Sequence, residues 1–183
     1  MSRLPIPARD NAPDASKPSL DAVNKRLGAA PNLFRLIAVS PATLADLTSL
    51  SGAVTKTLDV RTRERIALAV AQVSGCNSCR SAHTYLGLNL AKISPEEVAL
   101  NRKGASSDPK ADAAVRFAAK VAEARGHASD DDLAAVHKAG YTNAQVVDII
   151  SIVAENTFPN LINNVGQTDI DFPAVQTGDL KAA

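Results

Sequence analysis

Along this chain the apolar positions recur at three- and four-residue steps, and convincing strand patterns do not appear. From Asp108-Pro109 towards Gly126, the residues Ala111, Ala114, Val115, Ala118, Val121 and Ala122 fall on one face of a helix. Two segments are more apolar than a surface helix requires. Residues 61–73, "RTRERIALAVAQV", begin charged and then become apolar nearly all round, which predicts a helix buried on most sides. Residues 144–164, "AQVVDIISIVAENTFPNLINN", carry Pro159 inside the apolar run. Proline removes a backbone donor, so a kink or break is expected near Thr157.

Start and stop signals mark the remaining helices. Ser19 predicts a helix through about Leu27, stopped by Gly28, and Pro31 suits the first turn of a second, short one. Ser40-Pro41 reads as a cap followed by proline at the first helical position. Ser94 with Glu97 and Thr142 with Gln145 are capping boxes, and Ser129 with Asp132 is a weaker version. Residues 103–109, "KGASSDP", read as a loop. Residues 1–17 and 174–183 lack periodicity and read as arms or disordered ends around one domain, 18–173. The fold class is an all-α, single-domain helical bundle.

Composition narrows the function classes. A chain of 183 residues buries roughly 70% of its unfolded surface, enough for a core without staples. The net charge of +1 and the 3% aromatic content give no basic stripe with interleaved aromatics, so nucleic acid is not an expected partner. Nor does any run approach the roughly 20 apolar residues of a membrane span. A cytoplasmic location is the default, and there a close cysteine pair is catalytic or metal-binding more often than a staple.

Such a pair is present. The chain has two cysteines and three histidines, and "SGCNSCRSAH" places Cys76, Cys79 and His83 within eight positions. Haem attachment needs histidine directly after the second cysteine, where Arg80 stands. A structural zinc site needs four ligands, and only Glu64 is available as a fourth. A thioredoxin-type module would set the pair after a strand, whereas the preceding residues read as helix. Two buried cysteines beside a capping histidine is the bland alternative.

Helix geometry favours a redox dithiol. Gly75 turns the chain, Ser74 or Asn77 caps the next helix, and residues 77–91 form that helix with the cysteines in or beside its first turn. Unpaired N–H groups and the helix dipole favour an anion there. A free thiol is only about 3% thiolate at pH 7, so any such help matters. His83, four residues after Cys79, shares its helix face and can move a proton, and Arg80 adds positive charge. Cys76 is within bridging distance of Cys79, so one thiol can attack and the other resolve. Glu64 stands among Arg61, Arg63 and Arg65, and either a buried, paired carboxylate or a surface ion pair fits that context.

Glu64, then Cys76-Asn77-Ser78-Cys79 twelve positions on, then Ala82-His83, resembles the Glu…Cys-x-x-Cys-x-x-Ala-His pattern of AhpD-like alkylhydroperoxidases, within the carboxymuconolactone decarboxylase superfamily. The ending "FPNLINNVGQTDIDFP" resembles a peroxidase-related subgroup. The resemblance implies an all-helical, homo-oligomeric peroxidase in which Cys79 attacks the peroxide, Cys76 resolves, and Glu64 and His83 relay protons. Ser78 stands where the best-known members carry a histidine. No cofactor is expected, because no nicotinamide or flavin fingerprint is present, so electrons come from an external dithiol reductant. A decarboxylase-like activity on a small lactone, and a redox-sensing or zinc-binding module, are the alternatives. The apolar surplus of 144–164 and the "DIDFP" ending are expected to pack on another subunit.

Overall fold

The computed structural model of the protein describes residues 2–174, and the tail expected at 174–183 lies outside them beyond Ala174. Among the described residues all regular structure is helical. Two short 3₁₀ turns, Arg9–Asn11 and Asp14–Ser16, lead into α1 (Lys17–Leu27), α2 (Asn32–Ile37) and α3 (Pro41–Val54). The centre of the chain holds α4 (Val60–Val73), α5 (Asn77–Asn89) and α6 (Pro95–Arg102). It ends with α7 (Pro109–Glu123), α8 (Asp130–Lys138) and α9 (Asn143–Gly166).

The apolar-all-round helix α4 is the axis, packed against α5, α6, α7 and α9. Its Ile66, Ala67, Leu68, Ala69, Val70 and Ala71 are all buried. The alanines let neighbouring backbones approach closely. The larger side chains each contribute roughly 1.5–3 kcal/mol of burial. One core joins Ile66 and Val70 to Val115 and Ala118 of α7 and to Ile149 and Ile152 of α9. A second lies at the other end, where Leu20, Ile37, Leu44 and Leu47 meet Phe158 and Ile162. The N-terminal arm is part of this end. Ala12 is buried in it, the Arg3 N–H donates to the Gly166 carbonyl (2.7 Å) and Ser16 Oγ donates to the Ala38 carbonyl (2.7 Å).

Several local expectations need correction. Helix α1 begins at Lys17, two residues before Ser19, because Pro18 occupies its first turn. Pro31 is the cap of α2 and not part of its first turn. Helix α9 runs unbroken through Pro159. It is packed along its length against α2, α3, α4, α5 and α7, and these contacts outweigh the one lost donor. Its outer face leaves Val147, Ile150, Leu161 and Val165 exposed. The boxes at Ser129 and Thr142 both close. The one at Ser94 closes by half: Ser94 Oγ accepts from the Glu97 N–H (3.3 Å), but the carboxylate turns inward.

Glu97 turns inward because the 103–109 loop surrounds it with donors. It accepts from Ser107 N (2.8 Å), Ser107 Oγ (2.6 Å) and Asn101 Nδ2 (2.9 Å), and pairs with Arg65 (3.0 Å). Burial disfavours its charge, but the serine and asparagine bonds outweigh this and lower its pKa to about 2 from 4.5. A depressed carboxylate stabilises the fold above its unfolded value and loses that contribution as pH falls towards the folded one. The shift corresponds to about 3 kcal/mol, most of it lost by about pH 3. Urea midpoints at pH 6 and pH 3 should therefore fall further for the wild type than for Glu97→Gln. Equal falls would remove Glu97 from the acid response.

Candidate active site

Helix α4 ends in a two-bond cap. Gly75 takes a left-handed φ of 63°, its N–H donates to the Gln72 carbonyl (3.1 Å), and the Cys76 N–H donates to the Ala71 carbonyl (3.1 Å). This turn aims Cys76 at the start of α5. Cys76 itself, and neither Ser74 nor Asn77, is the cap: its Sγ accepts from the Cys79 N–H at 3.2 Å. The pair is joined in a disulfide with a Cα–Cα distance of 5.3 Å, the separation that one helical turn provides. Cys76 is fully buried, whereas Cys79 is 5% exposed and lines a cavity of about 350 Å³.

The cavity is apolar over most of its wall, with Leu27, Phe34, Leu47, Val54, Leu86 and Leu90 among its lining. Its polar lining includes Glu64, Ser78, His83, Glu155 and Asn163. His83 Nδ1 lies 2.9 Å from Glu64 Oε2, so α4 presents Glu64 inward to α5 and not to its flanking arginines. Those arginines are occupied elsewhere: Arg61 Nε donates to the Ala91 carbonyl (3.1 Å), Arg63 donates to the Thr55 carbonyl (2.9 Å) and Arg65 pairs with Glu97. Arg80 is fully buried and donates to Asn77 Oδ1 and Gln72 Oε1.

Burial disfavours the charged imidazolium of His83, but the charge and hydrogen bond of Glu64, with the charge of Glu155, outweigh it and hold its pKa above the ordinary 6.5. Glu155 also lines the cavity and accepts from Ser51 Oγ (2.7 Å). The structure thus brings all four predicted residues, Glu64, Cys76, Cys79 and His83, to one place. It adds two that the sequence pattern did not single out, Glu155 and Asn163. Asn163 Nδ2 lies 3.2 Å from Cys79 Sγ. The signal for it was a row of asparagines, Asn156, Asn160, Asn163 and Asn164, on a helix otherwise apolar enough to be core.

The segment after α9 closes the cavity rim. Asp171 accepts from the Asn32 N–H at the start of α2 (2.5 Å), and Phe172 packs at a tilt against Tyr85, with ring centroids 5.7 Å apart. The "DIDFP" ending therefore packs on its own chain, because a carboxylate is favoured at a helix N-terminus. His127 and His137 stay away from the cavity lining, and His137 Nδ1 bonds at the Tyr141 carbonyl (3.0 Å). Among the described residues, no three His, Cys, Asp or Glu side chains converge to hold a metal, and no helix is long and apolar enough to cross a membrane.

No curated protein matches the sequence. Solved structures share the fold. A peroxidase-related protein from Ralstonia eutropha JMP134, described as an alkylhydroperoxidase AhpD core, superposes with a TM-score of 0.81 at 23% identity, over 93% of this chain and 92% of that one. A peroxidase-related protein from Silicibacter sp. TM1040 gives 0.78 at 20%, over 92% and 91%. The debrominase Bmp8 gives 0.77 at 18%, over 93% and 91%. Residues 41–124, which contain Glu64, both cysteines and His83, match the Carboxymuconolactone decarboxylase family. The segment that matches this family is thus the one that carries the cysteines, Glu64 and His83, and the chain as a whole has the AhpD-core fold of these solved structures.

Proposed function

We propose that the protein is a thiol-dependent peroxidase that reduces organic hydroperoxides with the Cys76–Cys79 dithiol. The observation that carries this reading is the arrangement at the cavity wall. Cys79 faces an apolar chamber, its disulfide partner is buried behind it, and His83 stands on the same face of α5, paired with Glu64 of α4. The Cys79 thiolate attacks the terminal oxygen of the hydroperoxide. An S–O bond forms and the O–O bond breaks, leaving a sulfenic acid on sulfur. His83 supplies the proton with which the alkoxide leaves as an alcohol, and Glu64 holds the imidazole in place. The Cys76 thiol then displaces water from the sulfenic acid and forms the disulfide, which an external dithiol reduces. In the same reading, a second copy covers the exposed apolar face of α9.

Reduced protein treated with one equivalent of cumene hydroperoxide should lose two titratable thiols, and dithiothreitol should restore both. An unchanged thiol count would end the peroxidase reading and leave the lactone-directed and sensor readings. The fold shared with Bmp8, solved also in a variant bound to 2,3,4-tribromopyrrole, favours one second reading. Reduction of a carbon–bromine bond consumes the same dithiol and releases bromide. The same titration with 2,3,4-tribromopyrrole in place of hydroperoxide distinguishes the two.

A further inference from the structure

The two sulfurs receive different donors. The Cys79 N–H, in the first turn of α5, donates to Cys76 Sγ (3.2 Å), so this backbone donor serves that sulfur. Ser78 does not serve Cys79, because its hydroxyl donates to the Thr168 carbonyl (3.1 Å). The donor to Cys79 Sγ comes from α9: Asn163 Nδ2, at 3.2 Å, 84 positions along the chain.

Asn163 is held for this position. Its neighbours Asn160 and Asn164 donate to Ser74 Oγ (3.1 Å) and the Ser74 carbonyl (2.8 Å), which fastens α9 to the turn that carries the cysteines. Asn163 is only 6% exposed and lines the cavity, and its Oδ1 is buried with no hydrogen-bond partner among the described residues. An orphaned amide oxygen at a reactive sulfur calls for an explanation, since leaving it unpaired is costly. A substrate that carries an O–H would satisfy it.

We propose that Asn163 is a catalytic residue whose N–H stabilises the Cys79 thiolate and whose carbonyl oxygen accepts the terminal O–H of the hydroperoxide. The second half rests on the peroxidase reading; the first half does not. The nitrogen and oxygen of one amide are roughly 2.2 Å apart by their bond lengths. One N–H bonded to sulfur and one C=O bonded to the O–H therefore hold sulfur and terminal oxygen at about 3–3.5 Å, the range of a near-attack arrangement. The O–H that Asn163 holds stays on sulfur as the sulfenic acid, while the alkoxide takes its proton from His83. Sulfur is oxidised by two electrons and the O–O bond is reduced. A side-chain amide here also offsets the burial that would otherwise disfavour a thiolate.

The test uses reduced protein in a Cys76→Ser background, so that Cys79 is the single thiol. Ultraviolet absorbance of the thiolate against pH gives its midpoint, and single turnover with cumene hydroperoxide is followed at pH values above that midpoint. Asn163→Ala should raise the midpoint by about one pH unit, the effect of one hydrogen bond to a charged group. It should also slow turnover about tenfold even when Cys79 is fully ionised. Asn163→Asp, nearly isosteric and so able to fold if the alanine variant is not, should raise the midpoint further by placing a carboxylate against the thiolate. An unchanged midpoint in both variants overturns the donor role. A raised midpoint with wild-type turnover at full ionisation overturns the carbonyl role. If the Cys76→Ser parent itself consumes no hydroperoxide, the peroxidase reading fails, and the midpoint alone still decides the donor role.

Discussion

Cys79→Ser should abolish hydroperoxide consumption, whereas Cys76→Ser should consume one equivalent and stop as a sulfenic acid. The asymmetry comes from access. Cys79 is on the cavity wall, and Cys76 is fully buried under the cap that ends α4. In the proposed peroxidase reaction, a hydroperoxide in the chamber meets Cys79 and not Cys76, which makes Cys79 the proposed nucleophile. Cys76 needs no access to substrate, because its target is the neighbouring sulfur one helical turn away. Quenched-flow peroxide assays with a sulfenic-acid trapping reagent read both outcomes. If Cys76→Ser were the inactive variant and Cys79→Ser the trapped one, the roles would be reversed and the cavity would not be the peroxide's entry.

His83→Ala and Glu64→Gln should each slow single turnover about 10²–10⁴-fold, the scale of general acid–base help, while helix content stays near wild type. The pH profile distinguishes a proton-transfer role from a packing role. His83 is held above the ordinary 6.5 against the opposing effect of burial, chiefly by Glu64. With His83 acting as base towards the Cys79 thiol, the rate should rise with pH through a midpoint above 6.5, shared with Cys79 as a coupled pair. In Glu64→Gln burial meets less opposition, so the midpoint should move to lower pH. Stability carries the same sign. A raised folded pKa contributes stability that is fully present below 6.5 and is lost as pH rises through the folded value. The melting-temperature gap between wild type and Glu64→Gln should therefore narrow at alkaline pH. A purely structural Glu64 would lower the melting temperature and leave the rate per molecule unchanged.

Much of this site is local in sequence and was legible there. The Cys79–His83 spacing sets both side chains on one face of α5 by helical periodicity, and the Cys76–Cys79 spacing matches the reach of a disulfide across one turn. Gly75 marked the turn, and the alanine-rich "IALAVA" run of α4 marked the central helix. Local rules failed where a distant segment supplied a better partner. Glu97 left its capping box for the serines of the 103–109 loop, and Pro159 did not break a helix that neighbours support along its length.

By itself the sequence determined an all-helical chain with a dithiol and a histidine on one helical turn, because those relations depend only on backbone geometry between residues a few positions apart. Tertiary structure alone decided the rest. It turned Glu64 towards His83, 19 positions away, and removed its three flanking arginines to other partners. It left Cys79 at the cavity and Cys76 behind it, and it brought Asn163 to the Cys79 sulfur across 84 positions. The physical reason is that a charged or polar side chain on a helix can reach several partners. Which one it takes is settled by how the packed helices desolvate it and what they place within hydrogen-bond distance.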